Sequence, residues 1–245
     1  MATHIDTLDI DTLLMDVGGV FLLPSPEPIV GALERAEIPV DGTRLDRAHY
    51  AGAASTQVDL DDDEAPIADF WRAYLTAFTE ESGVPADRVD EAIEHLGSEF
   101  ATDGLWMRVV PGSVDALRSI DDAGIRLGVV SNAGGTMADR LLELEVLQVG
   151  SGLGVEVGTL IDSGAVGVEK PDPRIFHLAL EALDADPART AYIGDMPRFD
   201  VVGARRAGLR PLLMDPYGFQ HRMACEKVAS LADVLPLFRP AQDQR

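Results

Sequence analysis

The sequence predicts an α/β fold, a doubly wound parallel-sheet core with a helical cap domain inserted after its first strand. Three observations predict it. Residues 12–15 form a short apolar run closed by one carboxylate, Asp16, as in a strand buried on both faces of a parallel sheet. From about residue 106 onward, strand and helix patterns alternate, which suits a parallel sheet covered on both faces. Between these stretches the pattern is helical only.

The elements follow in order. After Asp16 come Gly18 and Gly19, and glycine permits a sharp turn at positive φ and close approach of backbone N–H groups to a ligand. Phe21–Leu23 and Pro24-Ser25-Pro26 read as a loop leaving the first strand. Apolar residues then recur at helical spacing: Ile29, Leu33 and Ala36; Ile67, Phe70, Trp71, Tyr74, Leu75 and Phe78; Val89, Ala92, Ile93, Leu96 and Phe100. The acidic run Asp59–Glu64 reads as a solvated loop, and Trp71 and Trp106 as core aromatics. Met107–Gly112 marks the return. Helices are expected at 113–123, through 141–144, at 171–183 and at 200–207, and a terminal one at 228–238. Strands are expected at 126–130, weakly at 155–157, at 190–193 and at 210–214, with a glycine-rich loop running on to Lys170. The expected division is a Rossmann-like core of residues 1–23 and 106–245 with a cap of residues 24–105. A cap leaving just after Asp16 lies over the carboxyl edge of the sheet, where it excludes water and selects substrate.

Composition narrows the function. Hydrophobic residues make up 46% of the 245, enough for a buried core, and no apolar run is long enough to span a bilayer. The acidic, polar start (Met1–Asp11) argues against a secretory signal, and Cys225 is the only cysteine, so a reducing, cytoplasmic setting is expected. The net charge of −22 repels nucleic acid and anionic membranes, so neither is expected as a partner. It also opposes anionic substrates, so any anion site needs local positive charge. Lys170 and Lys227 are the only lysines.

Polar groups end three of the expected strands: Asp16, Ser131 and Asp195. Parallel strands bring such ends to one edge of the sheet, where open α/β sheets bind ligands. Lys170 stands just before a helix start at Pro171-Asp172-Pro173, and Asp195 and Asp200 bracket one turn. Carboxylates with a backbone carbonyl form a hard-oxygen set suited to Mg²⁺. Each feature alone has a plainer reading: a turn at Asp16 or at Ser131-Asn132, a surface charge at Lys170, a helix N-cap at Asp200. Their order in one chain favours a shared site.

That order resembles the haloacid dehalogenase-like hydrolase superfamily, in the subfamily whose helical cap follows the first motif. Its four motifs stand here as Leu-Leu-Met-Asp16-Val-Gly-Gly-Val, Val-Val-Ser131-Asn132, Gly-Val-Glu-Lys170-Pro-Asp-Pro and Tyr-Ile-Gly-Asp195-Met-Pro-Arg-Phe-Asp200. The resemblance implies that Asp16 is the nucleophile that becomes an aspartyl phosphate. It implies that Ser131 holds a phosphoryl oxygen, with Asn132 supporting the loop and Gly19 beside the substrate, and that Lys170 neutralises charge. Mg²⁺ would be held by Asp16, the Gly18 carbonyl and Asp195, with Asp200 binding through water or orienting the ion's shell. Gly18 is a departure, since most phosphatases of the family carry there a second Asp that serves as acid and base. Its loss costs about 10²–10⁴ in rate, least where the leaving group is acidic.

The expected activity is therefore a Mg²⁺-dependent phosphatase acting on a small phosphorylated metabolite, as a monomer or homodimer. The alternatives are a 2-haloacid dehalogenase, which needs no acid such as Asp195, and a non-catalytic protein that keeps the fold for binding. Among cap residues, Arg47, His49, Tyr50, Trp71 and Arg72 are open to a substrate role or a structural one.

Overall fold

The computed structural model describes residues 9–55 and 67–238. Strand β1 (Thr12–Met15) is followed by β2 (Leu22–Pro24) and by helices α1 (Pro26–Arg35), α2 (Leu45–Ser55), α3 (Ile67–Glu81) and α4 (Val89–Phe100). Then come β3 (Trp106–Val109), α5 (Ser113–Asp122), β4 (Arg126–Ser131), α6 (Met137–Glu143), β5 (Leu147–Val149) and β6 (Val155–Val157). Next are β7 (Thr159–Asp162), α7 (Ser163–Val166), α8 (Pro173–Leu183), β8 (Thr190–Gly194), α9 (Val202–Arg206), β9 (Arg210–Met214) and β10 (Glu226–Val228).

Among the described residues the main sheet has six strands in the order β10-β9-β8-β1-β4-β7, parallel throughout. Alternation along β1 buries both faces. Leu13 and Met15 enter one cluster with Val129, Ile193 and Leu212, while Leu14 enters another with Phe176, Ala179 and Tyr192. This is the doubly wound arrangement, since each face of a central strand needs an apolar partner layer. Helices α1–α4 contribute most of a further cluster around Ile29, Leu33, Tyr74, Phe78 and Leu96, which Met196, just past the end of β8, joins. No helix of the described residues is long and apolar enough to cross a membrane.

Several expectations change. Residues 228–238 are not a helix: Val228 ends edge strand β10, and two short 3₁₀ turns follow at Leu231–Asp233 and Leu235–Leu237. Pro236 brings no N–H to continue a helix from the first turn into the second. The stretch taken as a glycine-rich loop holds β7, an edge strand of the main sheet, disguised by the flanking Gly158 and Gly164. The weak strand at 155–157 exists but pairs with β5 in a separate two-stranded sheet. Residues 22–24 and 106–109 form an antiparallel ribbon, so the chain leaves for the helices and returns from them side by side. Helix α2 gave no clear period because its buried side is built largely from Ala48, His49, Gly52 and Ala53. The acidic run Asp59–Glu64 and the side chain of Ile67 lie outside the described residues.

Close packing of α2 on α3 rests on Gly52. A Cβ there would stand 2.7 Å from two Tyr74 ring carbons and 3.0 Å from the Tyr74 carbonyl oxygen. At Gly97 on α4 a Cβ would meet nothing within 4 Å. Gly52→Ala is therefore expected to lower stability by about 1–3 kcal/mol. Gly97→Ala is expected to raise it by up to about 1 kcal/mol. Thermal melts of both variants check this, and a neutral Gly52→Ala would contradict the helix contact.

Candidate active site

Strand order brings the polar ends together. Met15 pairs with Val129 on one side and Ile193 on the other, and the Asp16 N–H donates to the Ile193 carbonyl at 2.8 Å. Asp16 thus leaves the sheet between the ends of β4 and β8, beside Ser131 and Asp195. Asp16, Asp195 and Asp200 are all buried, and each offers an oxygen within 4.8 Å of the others.

Lys170 is the central cation. Its Nζ lies 2.9 Å from Asp16 Oδ1 and donates to Asp200 Oδ1 and the Tyr192 hydroxyl, each at 2.8 Å. Only 2% of Lys170 is exposed, so these partners replace its hydration. Burial alone would lower its pKa, and the Asp16 and Asp200 carboxylates outweigh that, holding the ammonium above its ordinary value. Asn132 fixes the lysine's backbone from both sides: Lys170 N–H donates to Oδ1 at 2.7 Å, and Nδ2 donates to the Lys170 carbonyl at 3.0 Å. Asn132 therefore positions Lys170, and with Ser131 it also lines the cavity above Asp16.

Asp200 is fully engaged by protein groups. Its Oδ2 accepts from the Met196 N–H at 2.8 Å, while Oδ1 faces Lys170 and, at 3.1 Å, the Tyr192 hydroxyl. Asp195 differs, since its buried Oδ2 accepts no hydrogen bond. His49 Nε2 of α2 stands 2.9 Å from that oxygen, yet off the line of a hydrogen bond. His49 Nδ1 lies 2.8 Å from the Tyr74 hydroxyl, deep in the cap. Tyr50 donates to the Gly19 carbonyl at 2.6 Å. Two neighbouring residues of α2 thus reach Asp195 and the turn after Asp16.

Gly19 is a correction. It does not line the cavity, and its N–H donates to the Leu22 carbonyl at 2.9 Å, so it is not presented to substrate. Glycine is needed there because φ is +66° and a Cβ would fall 2.4 Å from Asp195 Cγ. Gly18 does line the cavity. A Cβ at Gly18 would sit at ordinary contact distance, 3.5 Å, from the Trp106 ring, so the indole stands over the position that lacks an acid.

Trp71 and Trp106 are the second correction: both line this cavity rather than lying wholly in the core, and Trp71 is 37% exposed. Arg72 reaches Asp90 at the surface, and Arg47 pairs with Glu81 and lies over the Phe219 ring, so neither faces the cavity. Tyr192 was not foreseen as a site residue, and His49, left open between a substrate and a structural role, stands beside Asp195. Tyr192 stands inside the fourth motif three residues before Asp195, a signal that was available. The place of His49 beside Asp195 could not be read, because only folding brings α2 there.

Comparison with known proteins agrees with this geometry. A family model described as haloacid dehalogenase-like hydrolase matches residues 10–208. The chain belongs to the haloacid dehalogenase-like hydrolase family. It is 36% identical over 146 residues to the haloacid dehalogenase-like hydrolase domain-containing protein 3 of Bos taurus, covering 59% of this chain and 55% of that one. It is 33% identical over 144 residues to a phosphoserine phosphatase of Thermus thermophilus, covering 59% of this chain and 53% of the other. The chain thus spans about half the length of these curated relatives. A ribulose-1,5-bisphosphate 5-phosphatase of Halopiger xanaduensis is 28% identical over 191 residues, covering 70% of this chain and 74% of that one. Among solved structures, the family hydrolase YfnB of Bacillus subtilis, bound to magnesium, aligns with a TM-score of 0.57 at 18% identity, over 94% of this chain and 99% of the other.

Three buried carboxylates around one lysine carry an energetic cost. Burial pushes the Asp16 carboxyl up to about 7, with Lys170 opposing the shift and Asp200 and Asp195 adding to it. That value lies above the ordinary 3.8, so the native state binds the extra proton between the two. The cost of the Asp16 charge is therefore fully present above about pH 7 and fades as pH falls toward the unfolded value. In chelator-treated protein, Asp16→Asn is expected to raise Tm at pH 8 by several degrees, at roughly 2–4 °C per kcal/mol. The gain should shrink toward pH 5. Melting curves across that range check it, and a gain independent of pH would contradict the cause given.

Proposed function

We propose that this family member is a Mg²⁺-dependent phosphomonoesterase that acts through an aspartyl phosphate on Asp16. The observation that carries the reading is the buried triad of Asp16, Asp195 and Asp200, with an Asp195 oxygen that accepts no hydrogen bond and faces only His49. Buried carboxylates without matching donors fit a hard divalent cation, and oxygen-only donors fit Mg²⁺. Asp16, Asp195 and the Gly18 carbonyl would hold the ion, and Asp200, with both oxygens engaged, would act from outside them. When bound, the ion supplies Lewis-acid neutralisation of phosphoryl charge. We take residues 24–105 as the cap.

The chain's own groups divide the rest. Asp16 attacks phosphorus, while Lys170, held by Asp200, Tyr192 and Asn132, draws the negative charge of the phosphoryl group into a very acidic protein. Ser131, at the end of β4 and on the cavity wall, donates to a phosphoryl oxygen. With glycine at 18, no side chain there protonates the leaving oxygen. A small phosphorylated molecule as substrate agrees with the phosphatases named among the relatives. Dehalogenation at carbon has no use for the metal-type carboxylate cluster, and the metal requirement separates the two chemistries.

Asp16→Asn should reduce Mg²⁺-dependent hydrolysis of p-nitrophenyl phosphate to background with the fold intact, and Asp195→Ala should remove the metal response. Turnover that survives both chelation and Asp16→Asn would overturn the proposal.

Gly18→Asp should restore a proton donor beside the leaving oxygen. Because Trp106 faces that position, the expected gain is about tenfold for an alkyl phosphate, at the low end for general acid catalysis, and smaller for an aryl one. The ratio of kcat/KM for the two esters checks this. An equal gain on both would mean that proton transfer is not what limits the wild-type protein.

A further inference from the structure

We infer that the substrate is an aryl phosphate, a monoester whose leaving group is an uncharged, ring-sized phenol. This rests on the phosphatase reading and names the substrate class of the same site. Two independent observations carry it.

The first is the apolar part of the cavity wall. The cavity holds about 240 Å³, below the usual range for drug-sized ligands, which leaves room for a phosphoryl group and one ring rather than a nucleotide. Its apolar lining includes Trp71, Phe100, Trp106, Met137, Met196 and Phe199. Aromatic rings supply large apolar contact area for another ring, in edge-to-face or offset geometry. Among the described residues, Lys170 is the only lysine or arginine on the wall, and it is committed to Asp16, Asp200 and Tyr192. A second anionic group, such as a carboxylate or another phosphate, would be desolvated without a cation and would meet Glu169. The net charge of −22 disfavours that further.

The second is the chemistry at residue 18. Glycine there provides no proton, and the Trp106 ring stands 3.5 Å from where a Cβ would be. In the step proposed, an Asp16 carboxylate oxygen bonds to phosphorus as the P–O(aryl) bond breaks. The phenolate leaves with the bonding pair and takes its proton from solvent. Water then attacks the aspartyl phosphate and gives up a proton to solvent as the P–O bond to Asp16 breaks, releasing inorganic phosphate and restoring the Asp16 carboxylate. A phenolate is a stabilised anion, so this path does not need the missing acid, whereas an alkoxide would. The wall selects for a ring and the missing acid selects for a phenol, and both conditions meet in one substrate class.

Binding separates shape from reactivity. Phenylphosphonate, phosphonoacetate and 2-aminoethylphosphonate are titrated against wild-type protein in Mg²⁺ by tryptophan fluorescence and calorimetry, and phenyl phosphate, glycerol phosphate and O-phosphoserine are assayed for turnover. Phenylphosphonate should bind at least roughly tenfold more tightly than the other two, the scale set by burying one small apolar group. Trp71→Ala should cut that preference several-fold and Trp71→Phe should largely keep it, with circular dichroism checking the fold of both. Phenyl phosphate should show the highest kcat/KM. Equal or tighter binding of phosphonoacetate or 2-aminoethylphosphonate would overturn the aromatic assignment even if every ester is hydrolysed. A preference for phenylphosphonate without Asp16-dependent hydrolysis of any ester would instead remove the phosphatase reading and leave the aromatic subsite standing.

Discussion

One ammonium holds the site together. Lys170 Nζ sits between Asp16 and Asp200 with the Tyr192 hydroxyl as third partner, and all four side chains are buried. Remove that charge and two carboxylates would face each other in a poorly solvated space, where like charges repel strongly. The lysine in turn depends on Asn132 for its backbone and on β8 for Tyr192. Groups from two other stretches of chain, Asp16 and residues 192–200, are therefore tied to one atom, while Asn132 from a third holds the lysine's backbone. The parallel sheet is the means, because adjacent β8, β1 and β4 end at the same edge.

Asp195 stands apart from that network. Its Oδ2 has no donor, and His49 approaches it only obliquely from the cap. With Tyr50 on the Gly19 carbonyl and Arg108 of β3 paired with Asp46 of α2, the cap meets the core at several points around the nucleophile turn. Access to phosphorus is thus shaped by elements that contribute nothing to the nucleophile itself. Trp106 belongs to this junction. It starts the strand that returns from the cap, packs edge-on to His49 at 5.4 Å, and covers Gly18.

The same junction explains why the catalytic half of the cavity and its outer half differ in character. The inner half is set by charge, with carboxylates balanced against Lys170. The outer half is set by aromatic and thioether side chains, several of them from the cap and its return strand. Under the proposed function, a single mutation in the inner half is expected to change the chemistry, and one in the outer half to change which molecule is brought to it.

The residues themselves determined the core layout and most of the inner site. Apolar runs closed by Asp16, Ser131 and Asp195 specify buried strands with polar ends, and burial on both faces leaves a parallel sheet as the economical solution. Asp16, Lys170 and Asp200 converge as expected because the lengths of the βα units leave few ways to connect such strands. Tertiary structure decided what no local pattern encodes. Strand β7 is hidden among glycines and stabilised by pairing with β4, so its period was too short and too interrupted to read. Helix α2 buries a small-residue face against α3, and small residues leave no hydrophobic period. For that reason His49 and Tyr50 gained their place beside Asp195 and Gly19 only when the cap packed on the core. Gly19 lost its expected ligand contact because its N–H closes the turn to Leu22. Trp71 and Trp106, alike in sequence to any core aromatic, became cavity walls because the cap docks over the carboxyl edge of the sheet and leaves a gap there. Local pattern records which side chains avoid water. Which of them face a ligand instead of each other is settled only when the helices and the sheet pack together.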